Sequence, residues 1–373
     1  MAKKPTVYDV AERAGVSIAT VSFSFRQPQR VRESTREAVL KAARELGYLP
    51  SASARGLAKG RTGAIGLFSF DYFGRSSTEA ARNAAVRTAR GPGQAGHDRD
   101  SLFSGEANED FRLFPLYHDE VQRGVEMECR RRGYVLMVGE GHGASTEVDI
   151  TEIAGRVDGL AVFPNSLPGD ILRRVSKRIP VVELSNPAED NGLHRVSVEN
   201  ATGMALLTTH LIQHHQLRRI MFVGPEGSPD RERRFRGYAE VMTGAGLDIR
   251  TLPRSGPIDP AADVDRTIRK LRAANQLPQA FVAAVDAEAL LYMDALARAG
   301  ISVPGQVAVT GFDGLVAGLV SRPTLTTVRQ PMVELGSSAA SILIDEVTNP
   351  SPFPTVKELP VKLMVRESCG CGT

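Results

Sequence analysis

The chain has 373 residues, of which 42 % are hydrophobic and 24 % are charged. This composition is typical of a globular protein, and the length predicts roughly two or three compact units. There is no run of about 18 uncharged apolar residues, so we expect no membrane partner. The charged start of the chain and the presence of only three cysteines favour the cytoplasm.

The net charge of +3 is unevenly distributed. Residues 1–61 contain twelve Lys and Arg residues against five Asp and Glu residues, so the rest of the chain is net acidic. Each phosphate that a basic side chain neutralises releases counterions, which favours binding. The basic first segment is therefore a candidate for contact with nucleic acid.

Three short helices are predicted within residues 1–50. Thr6 and Asp9 have the spacing of a capping box before the first helix, which Gly15 ends. Ser17 caps a second helix over residues 18–25, and two helices joined by so short a turn form a helix-turn-helix. A third helix begins with the capping box of Ser34 and Glu37 and is expected to bury one apolar face, formed by Ala38, Val39, Ala42 and Leu46. From spacing alone, an ordinary three-helix bundle with a solvated basic face is an equal alternative.

The residues themselves favour the helix-turn-helix. The conspicuous sequences are TVYDVAERAGVS at 6–17, TVS at 20–22, TR at 35–36 and LGYLP at 46–50. Over residues 5–66 the chain closely resembles the headpiece of the lactose-repressor (LacI/GalR) family. The resemblance implies a lambda-repressor-like all-α headpiece over residues 1–50 and a hinge helix or linker over 51–62. It also implies a repressor that binds a pseudo-palindromic operator in double-stranded DNA as a homodimer.

The family's base-reading positions fall on Ile18, Ala19 and Phe23. Apolar side chains can contact thymine methyl groups but cannot form the bidentate guanine contact of an arginine, so we expect an operator unlike that of arginine-bearing relatives. Core packing is the alternative for Phe23 and the favoured interpretation for Phe25. The remaining predicted headpiece contacts, to phosphate or for positioning, are Thr6, Ser17, Thr20, Ser22, Arg26 and Arg36.

Residues 51–59 resemble the family's hinge helix. Such a segment is too short to be stable alone, and Gly56 weakens it further. The resemblance implies that it folds only when paired with its copy on bent DNA, with Leu57 wedged between base pairs in the minor groove. Ala54 and Leu57 are the predicted hinge contacts.

From Gly63 onward, continuous apolar strands alternate with helices, which predicts an α/β fold with parallel sheets covered on both faces. The remaining length of about 300 residues requires two lobes. We assign residues 63–373 to this effector-binding and dimerisation domain. The first lobe is expected at about 63–195 and 330–352, and the second at about 196–329 and 353–370.

Ligands of such folds bind beyond the carboxyl ends of the strands or between the lobes. The sequences RFRG at 234–237, VP at 303–304, GFD at 311–313 and PTLTTVRQ at 323–330 are similar to the LacI/GalR effector domain, which has a periplasmic-binding-protein-like fold. The resemblance implies a small effector, usually a sugar, that controls operator affinity allosterically. It implies Arg234 and Asp313 as contacts to sugar hydroxyls. Further predicted contacts are Glu183, Val198, Asp286, Gln330 and Met332.

Alternatives remain for the two central residues and for the ligand itself. Asp313 could be a turn carboxylate, and Arg234 could form a surface ion pair. Val285 stands where relatives often have an asparagine, which removes one amide able to bind a hydroxyl. Residues 74–112 show no sustained periodicity and are predicted to be a disordered insertion, for which a neutral role is favoured over a lid or a partner site. A degenerate relative that binds DNA without a ligand is therefore the main alternative.

Other classes of protein are weaker matches. The glycines Gly139, Gly141 and Gly143 follow a strand, as in a dinucleotide-binding loop, but their spacing is shifted, so an enzyme is not expected. A free sugar-binding transport protein would share the body fold and lack the basic headpiece.

No cofactor and no metal are expected. Cys369 and Cys371 have no second ligand pair at zinc-site spacing, so a frayed tail is the favoured interpretation. His210, His214 and His215 are interpreted as one helix end.

Overall fold

The computed structural model describes residues 5–48, 60–70, 116–141, 146–185, 191–254 and 260–372. The predicted hinge contacts Ala54 and Leu57 and the predicted insertion 74–112 lie outside these ranges. The chain divides into two compact units, Met1–Gly63 and Ala64–Thr373, which we describe separately.

The described part of the first unit is helical. It contains α1 (Val7–Ala14), α2 (Ile18–Arg26), a 3-10 turn (Pro28–Arg30) and α3 (Glu33–Leu46). Gly15 and Gly47 end α1 and α3 in the left-handed conformation, with φ of 65° and 66°. A glycine there lets the next backbone N–H groups bond to carbonyls left unpaired at the helix end.

One face of each helix forms the headpiece core, whose buried members are Val10, Ala11, Val21, Val39, Ala42 and Ala43. The predicted capping box of Ser34 and Glu37 is wrong, because α3 already begins at Glu33 and Arg32 occupies the N-cap position. Ala38 is exposed where burial was expected. The buried stripe passes instead through Val39, Ala42 and Ala43, at the three- and four-residue spacing of one helix face.

The second unit alternates strands and helices, as predicted. Its described strands are β1 (Ala64–Phe70), β2 (Val135–Gly141), β3 (Gly159–Val162), β4 (Val181–Leu184), β5 (His194–Val198), β6 (Ile220–Pro225), β7 (Thr251–Arg254), β8 (Ala280–Ala283), β9 (Ala308–Asp313), β10 (Thr326–Arg329), β11 (Val356–Leu359) and β12 (Lys362–Met364). Its described helices are α4 (Leu116–Arg132), α5 (Thr146–Ala154), α6 (Gly169–Ser176), α7 (Asn200–Gln213), α8 (Pro229–Gly244), α9 (Pro260–Ala273), α10 (Asp286–Arg298), α11 (Val316–Val320) and α12 (Met332–Thr348).

These strands form two six-stranded sheets, one for each lobe. The strand orders are β11–β5–β4–β3–β1–β2 and β12–β10–β9–β8–β6–β7. The paired strands run parallel except β10 with β12. Helices cover the sheets and bury the apolar strands. The predicted α/β class with parallel sheets is therefore confirmed. No described helix is both long and apolar enough to cross a membrane.

The chain passes between the lobes after β5, after β10 and after β11. Two of these passages differ from the predicted boundaries. β5 lies wholly in the first sheet because it pairs with β4, and β11 extends the same sheet beside β5, so residues 356–359 belong to the first lobe and not to the second. A hydrogen bond of 3.0 Å from the Glu199 N–H to the Leu359 carbonyl ties the first and last passages together.

Helices α4 and α12 cross closely in the first lobe. A Cβ atom on Gly124 would overlap the Val333 carbonyl oxygen, and one on Gly336 would overlap the Val121 carbonyl oxygen. Because the neighbouring atoms belong to backbone, they cannot move aside as a flexible side chain could. Glycine at both positions thus allows the short distance between α4 and α12.

The carboxyl-terminal tail packs against the second sheet, so the predicted frayed tail is wrong. The Ser368 hydroxyl donates to the Val309 carbonyl at 2.6 Å and accepts from the Thr326 N–H at 2.8 Å. Ser368 and Cys369 are both buried in a 3-10 turn, Glu367–Cys369. These bonds hold the tail to β9 and β10.

Candidate functional site

A buried polar cluster lies at the carboxyl edge of the second sheet and is centred on Arg234. This residue occupies the second turn of α8, in which Pro229 fills the first helical position. The Arg234 Nε donates to Asn200 Oδ1 and Nη1 donates to the Ala284 carbonyl, both at 2.7 Å. Its guanidinium lies 3.9 Å from the centroid of the Phe312 ring. The guanidinium is therefore held in one orientation.

Asp313 ends β9 and faces this guanidinium. One carboxylate oxygen lies 3.4 Å from Arg234 Nη1 and accepts a hydrogen bond of 2.6 Å from Gln330 Nε2. Asp313 has a φ of 135°, a conformation that favours glycine, and the Gln330 N–H bonds to its carbonyl at 3.0 Å. The carboxylate of Asp230 joins the cluster by accepting from Asn200 Nδ2 at 2.8 Å. We refer to Asn200, Asp230, Arg234, Asp313 and Gln330 as the cleft network.

Two carboxyl groups of the cleft network have unusual pKa values. Burial raises the pKa of Asp313 to about 7, while the nearby Arg234 charge opposes the increase. Burial likewise raises the pKa of Asp230 to about 6, again against the effect of Arg234. Desolvation disfavours the ionised form of a carboxyl group that has lost its water. Asp313 thus titrates near neutral pH in the chain without ligand.

Aromatic side chains of the first lobe approach the cleft network. The Tyr117 hydroxyl lies 3.0 Å from Ser185 Oγ, and the His118 ring centroid lies 4.0 Å from that of Phe163. Burial is the main cause that raises the Tyr117 pKa, and the charges of Asp230 and Asp313 add to it, which places the phenol near both carboxylates. Burial lowers the pKa of His118 to about 3, so its ring is neutral at neutral pH. The site thus combines polar groups of one lobe with rings of the other.

The two lobes also touch at the edges of the cleft. Asn165 Nδ2, in the loop after β3, donates to the Gly227 carbonyl, in the loop after β6, at 2.7 Å. Arg233 Nη1 lies 3.5 Å from a Glu358 carboxylate oxygen of β11. A change in the angle between the lobes would therefore alter specific polar contacts.

Glu183 lies on the first lobe, beside a cavity of about 180 Å³ at the carboxyl ends of β3 and β4. Its carboxylate accepts from Asn191 Nδ2 at 2.7 Å, and Phe163 and Asn165 also line the cavity. A larger cavity of about 930 Å³ is lined by Arg219 and Gln306 at the amino edge of the second sheet. Because parallel sheets bind ligands at the carboxyl edge, the smaller cavity is the better candidate.

Three predicted effector contacts lie outside the cleft network. Val198 and Met332 are buried in the apolar core of the first lobe, since one ends the inner strand β5 and the other begins α12, which packs on that sheet. Asp286 is fully buried, and both its oxygens accept bonds from the protein: Thr327 Oγ1 at 2.5 Å and the N–H groups of Gly314 and Leu315 at 2.8 and 2.7 Å. Its role is to hold the loop after Asp313.

Other residues of the site were missed by the sequence analysis. Asn200 and Asp230 belong to the cleft network, yet both lie in first turns of helices, where such residues are common caps. Ser69 near the end of β1 is buried, and its hydroxyl has no hydrogen-bond partner among the described residues. Gln330 Oε1 is likewise buried without a hydrogen-bond partner among them. Because ligands bind beyond the carboxyl ends of parallel strands, the position of Ser69 near the end of β1 is the signal that could have identified it.

The predicted recognition helix α2 exposes apolar side chains. Ile18 and Phe23 are 40 % and 37 % exposed, and Ala19 and Ser17 are also exposed. The Arg30 guanidinium lies 5.8 Å from the Phe23 ring centroid. Phe25 instead packs on the headpiece core, with its ring 6.2 Å from that of Tyr48, in agreement with the favoured interpretation.

The polar residues of the headpiece are partly used within it. The Asp9 carboxylate accepts from both the N–H and the hydroxyl of Thr6, at 2.6 and 2.7 Å. Ser17 Oγ accepts from the Thr20 N–H at 3.1 Å and so caps α2. Ser22 is half-buried, Arg36 is exposed and Arg26 ends α2. Tyr8 of α1, which the sequence analysis did not single out, is 67 % exposed and is a further candidate for contact with DNA.

The glycines that suggested a dinucleotide loop have a packing role. Gly139 and Gly141 lie inside β2, before any loop begins. A Cβ on Gly139 would overlap the Ile153 side chain, and one on Gly141 would lie 2.8 Å from Thr146 Cγ2. They allow α5 to approach the strand closely.

A helix-turn-helix unit, joined in one chain to two α/β lobes with a buried polar cluster, is the domain organisation expected of a ligand-responsive regulator of transcription. Residues 6–51 match the profile described as "Bacterial regulatory proteins, lacI family", and residues 208–369 match the "Periplasmic binding protein-like domain". The amino-terminal unit is thus similar to the LacI family of bacterial regulatory proteins, and the second lobe to periplasmic binding proteins.

Similar proteins share nearly its whole length. The ribose operon repressor of Escherichia coli (strain K12) is 29 % identical over 97 % of this chain and 99 % of its own. The structure of a complex of the transcriptional regulator CelR with cellobiose is 26 % identical, with a TM-score of 0.64, over 98 % and 99 % of the two chains. A lac repressor dimer bound to operator and the anti-inducer ONPF has the same fold, with 22 % identity, a TM-score of 0.75 and coverage of 98 % and 99 %.

Proposed function

We propose that the protein is a transcriptional repressor whose operator affinity is controlled by a sugar bound between the two lobes. The observation that carries the proposal is the cleft network, in which a guanidinium, a carboxylate and an amide converge at the carboxyl edge of the second sheet. Charge-assisted donors and acceptors of this kind suit vicinal hydroxyls, and the rings of the first lobe suit the apolar face of a sugar. The names of the ribose and cellobiose relatives support this class of ligand.

The sugar is proposed to change the angle between the lobes. Arg234 and Asp313 would bind it from the second lobe and Glu183 from the first, so that its affinity differs between open and closed forms. That difference in affinity is what can shift the population of two conformations. Gln330 would orient Asp313, to which it already donates.

The working form is proposed to be a homodimer. Two headpieces are needed for a pseudo-palindromic operator, and the similar lac repressor is described as a dimer on its operator. Val316, Leu319 and Val320 each expose more than half of their surface on the short helix α11. Clustered exposed apolar side chains are typical of contact surfaces, so α11 is a candidate for the contact between copies.

The headpiece is proposed to act on chromosomal DNA in the cytoplasm, by binding and not by catalysis. Ile18, Ala19 and Phe23 would contact base edges, and Ser17, Thr20, Ser22, Arg26 and Arg36, with Thr6, would contact or position the phosphates. Ala54 and Leu57 would contact the minor groove. The similar proteins named above are regulators and repressors of transcription.

A repressor that needs no ligand is the second candidate. Val285 is apolar, and Asp286 already uses both carboxylate oxygens within the protein, so neither offers a free polar group to a sugar. The two candidates differ in one measurement. Affinity for duplexes selected from a random pool is measured with and without ribose, cellobiose and a panel of other sugars. A sugar that changes DNA affinity supports control by ligand. If no sugar of the panel changes DNA affinity, the second candidate is supported.

Replacement of Phe23 by alanine is expected to lower affinity for the selected duplex about tenfold, because losing the recognition of one base pair typically costs roughly 1–3 kcal/mol. Binding to unrelated DNA should change little, since that binding comes from phosphate contacts. Fluorescence anisotropy at fixed salt measures both. Phe353→Ala is the control, because Phe353 is the more exposed ring and lies in the other unit. Equal affinity of Phe23→Ala and the wild type would remove Phe23 from the interface.

Sugar affinity is expected to rise with pH through about 7, the pKa of Asp313 in the free chain. An ionised carboxylate accepts more hydrogen bonds from hydroxyls than the acid does, so the ligand prefers the deprotonated form and affinity is lost as pH falls. Calorimetry between about pH 5.5 and 8.5 should show this change, and Asp313→Asn should flatten it. An unchanged slope in Asp313→Asn, together with a flat profile in Asp230→Asn, would assign the titration to Asp230.

A further inference from the structure

Two histidines and two cysteines meet at a place remote from the cleft network. His210 lies in the last turn of α7 and His215 follows that helix, while Cys369 and Cys371 belong to the carboxyl-terminal tail. One ligand atom of each lies within 4.8 Å of all the others. Because His210 is ten residues along α7 from Asn200, the cluster is roughly 15 Å from the cleft network.

The separations within the cluster have the dimensions of a metal site. The two Nε2 atoms are 3.2 Å apart, and Cys371 Sγ lies 3.2 Å from His215 Nε2 and 3.6 Å from His210 Nε2. Cys369 Sγ lies 3.6 Å from His210 Nε2. A tetrahedral zinc ion with Zn–N of about 2.0–2.1 Å and Zn–S of about 2.3 Å holds neighbouring ligand atoms roughly 3.3–3.8 Å apart.

We propose that His210, His215, Cys369 and Cys371 bind one zinc ion in a closed Cys2His2 site. Two thiolates and two imidazoles are a preferred ligand set of structural zinc. Four protein ligands complete the tetrahedron, so no position is open for a substrate and the role is structural.

The local backbone suits this arrangement. Gly370, between the two cysteines, has a φ of 104°, in the region that side chains rarely adopt. Its backbone turns both sulfur atoms toward the histidines, and a Cβ there would lie 3.4 Å from the His215 ring. The Thr326 hydroxyl, 3.1 Å from Cys369 Sγ, can donate to a thiolate and is a supporting group of the kind that metal sites use.

The ion would join two parts of the second lobe that are distant in sequence. The tail packs on β9 and β10, which lead to Asp313 and Gln330, and α7 begins at Asn200. Zinc would therefore fasten the tail to the far end of a helix that supports the cleft network. The site requires neither the sugar nor the operator, so its test is independent of the proposed function.

The test uses the full chain without an affinity tag, purified in the presence of reductant. Mass spectrometry of the metal content is expected to find one zinc per chain, and cobalt(II) added to the zinc-free chain is expected to give the visible absorption of a tetrahedral thiolate site. Cys371→Ser and His215→Gln should each lose the zinc and the absorption. His214→Gln and Cys129→Ser should keep both, because neither residue belongs to the cluster. A chelator should lower the Tm of the wild type and leave that of Cys371→Ser unchanged.

Three results would overturn the proposal. The first is a wild type that contains no zinc and gives no tetrahedral cobalt spectrum. The second is a disulfide between Cys369 and Cys371 that persists in reductant and accounts for the cluster. The third is retention of zinc by both Cys371→Ser and His215→Gln, which would place the ion elsewhere.

Discussion

Arg234→Ala is expected to weaken sugar binding at least about 100-fold. The substitution removes a charge-assisted bond to the ligand and leaves Asp313 buried without its counter-charge, effects that together amount to roughly 3 kcal/mol. Asn200 also loses the donor that fixes its amide. Calorimetry with the sugar that changes DNA affinity measures the loss. Binding to the selected duplex in the absence of sugar should persist, since the headpiece is a separate compact unit.

Arg236→Ala is the matched control, because Arg236 is an exposed arginine two residues further along the same helix. It should bind the sugar as the wild type does. Urea unfolding of both variants shows whether the lobe remains folded, and Arg234→Lys keeps the charge while losing the fork of donors. If Arg234→Ala is folded and binds the sugar undiminished, the cleft network is not the ligand site.

Gly336→Ala is expected to destabilise the effector domain by about 3 kcal/mol, one of the larger costs of overpacking. In an exposed helix the same change is favourable by up to about 1 kcal/mol, because alanine is the better helix former. Here the added Cβ would overlap the Val121 carbonyl, and α4 and α12 would have to separate. The urea midpoint measures the effect.

Gly244→Ala provides the comparison at a helical glycine with open space. No heavy atom lies within 4 Å of a Cβ built there. We expect Gly244→Ala to leave stability unchanged or raise it, so only Gly336→Ala should lower the urea midpoint. A similar small shift in both would mean that the α4–α12 crossing is loose enough to accept a methyl group.

Local patterns account for the part of the fold that the sequence predicts well. The headpiece depends on caps and glycines within a few residues of one another, such as Ser17 with Thr20 and Gly15 with α1. The apolar runs of β1, β3, β4, β8 and β9 are continuous because helices cover both faces of the sheets. The strand β11 was not predicted because it lies at a sheet edge with Val356 exposed, so no continuous run of apolar residues indicates it.

Contacts between distant segments account for what the sequence does not predict. Arg234, Asp313 and Gln330 come together as the resemblance implies, but Asn200 and Asp230 join them only through the packing of α7 on α8. The same limitation hides the Cys2His2 cluster, whose two pairs are separated by more than 150 residues. Val198 and Met332 illustrate the opposite error, because proximity in sequence to a cleft residue does not set the direction in which a side chain points.

The three passages of chain between the lobes limit how an effector can act. Because the Glu199–Leu359 hydrogen bond holds two of the three passages together, we expect the lobes to move relative to each other mainly along one coordinate. Chemically different ligands can then differ in how far they displace the lobes along that coordinate, but not in its direction. An inducer and its antagonist would accordingly displace the lobes in opposite senses along the same coordinate. A compound of intermediate size should then give an intermediate change in operator affinity.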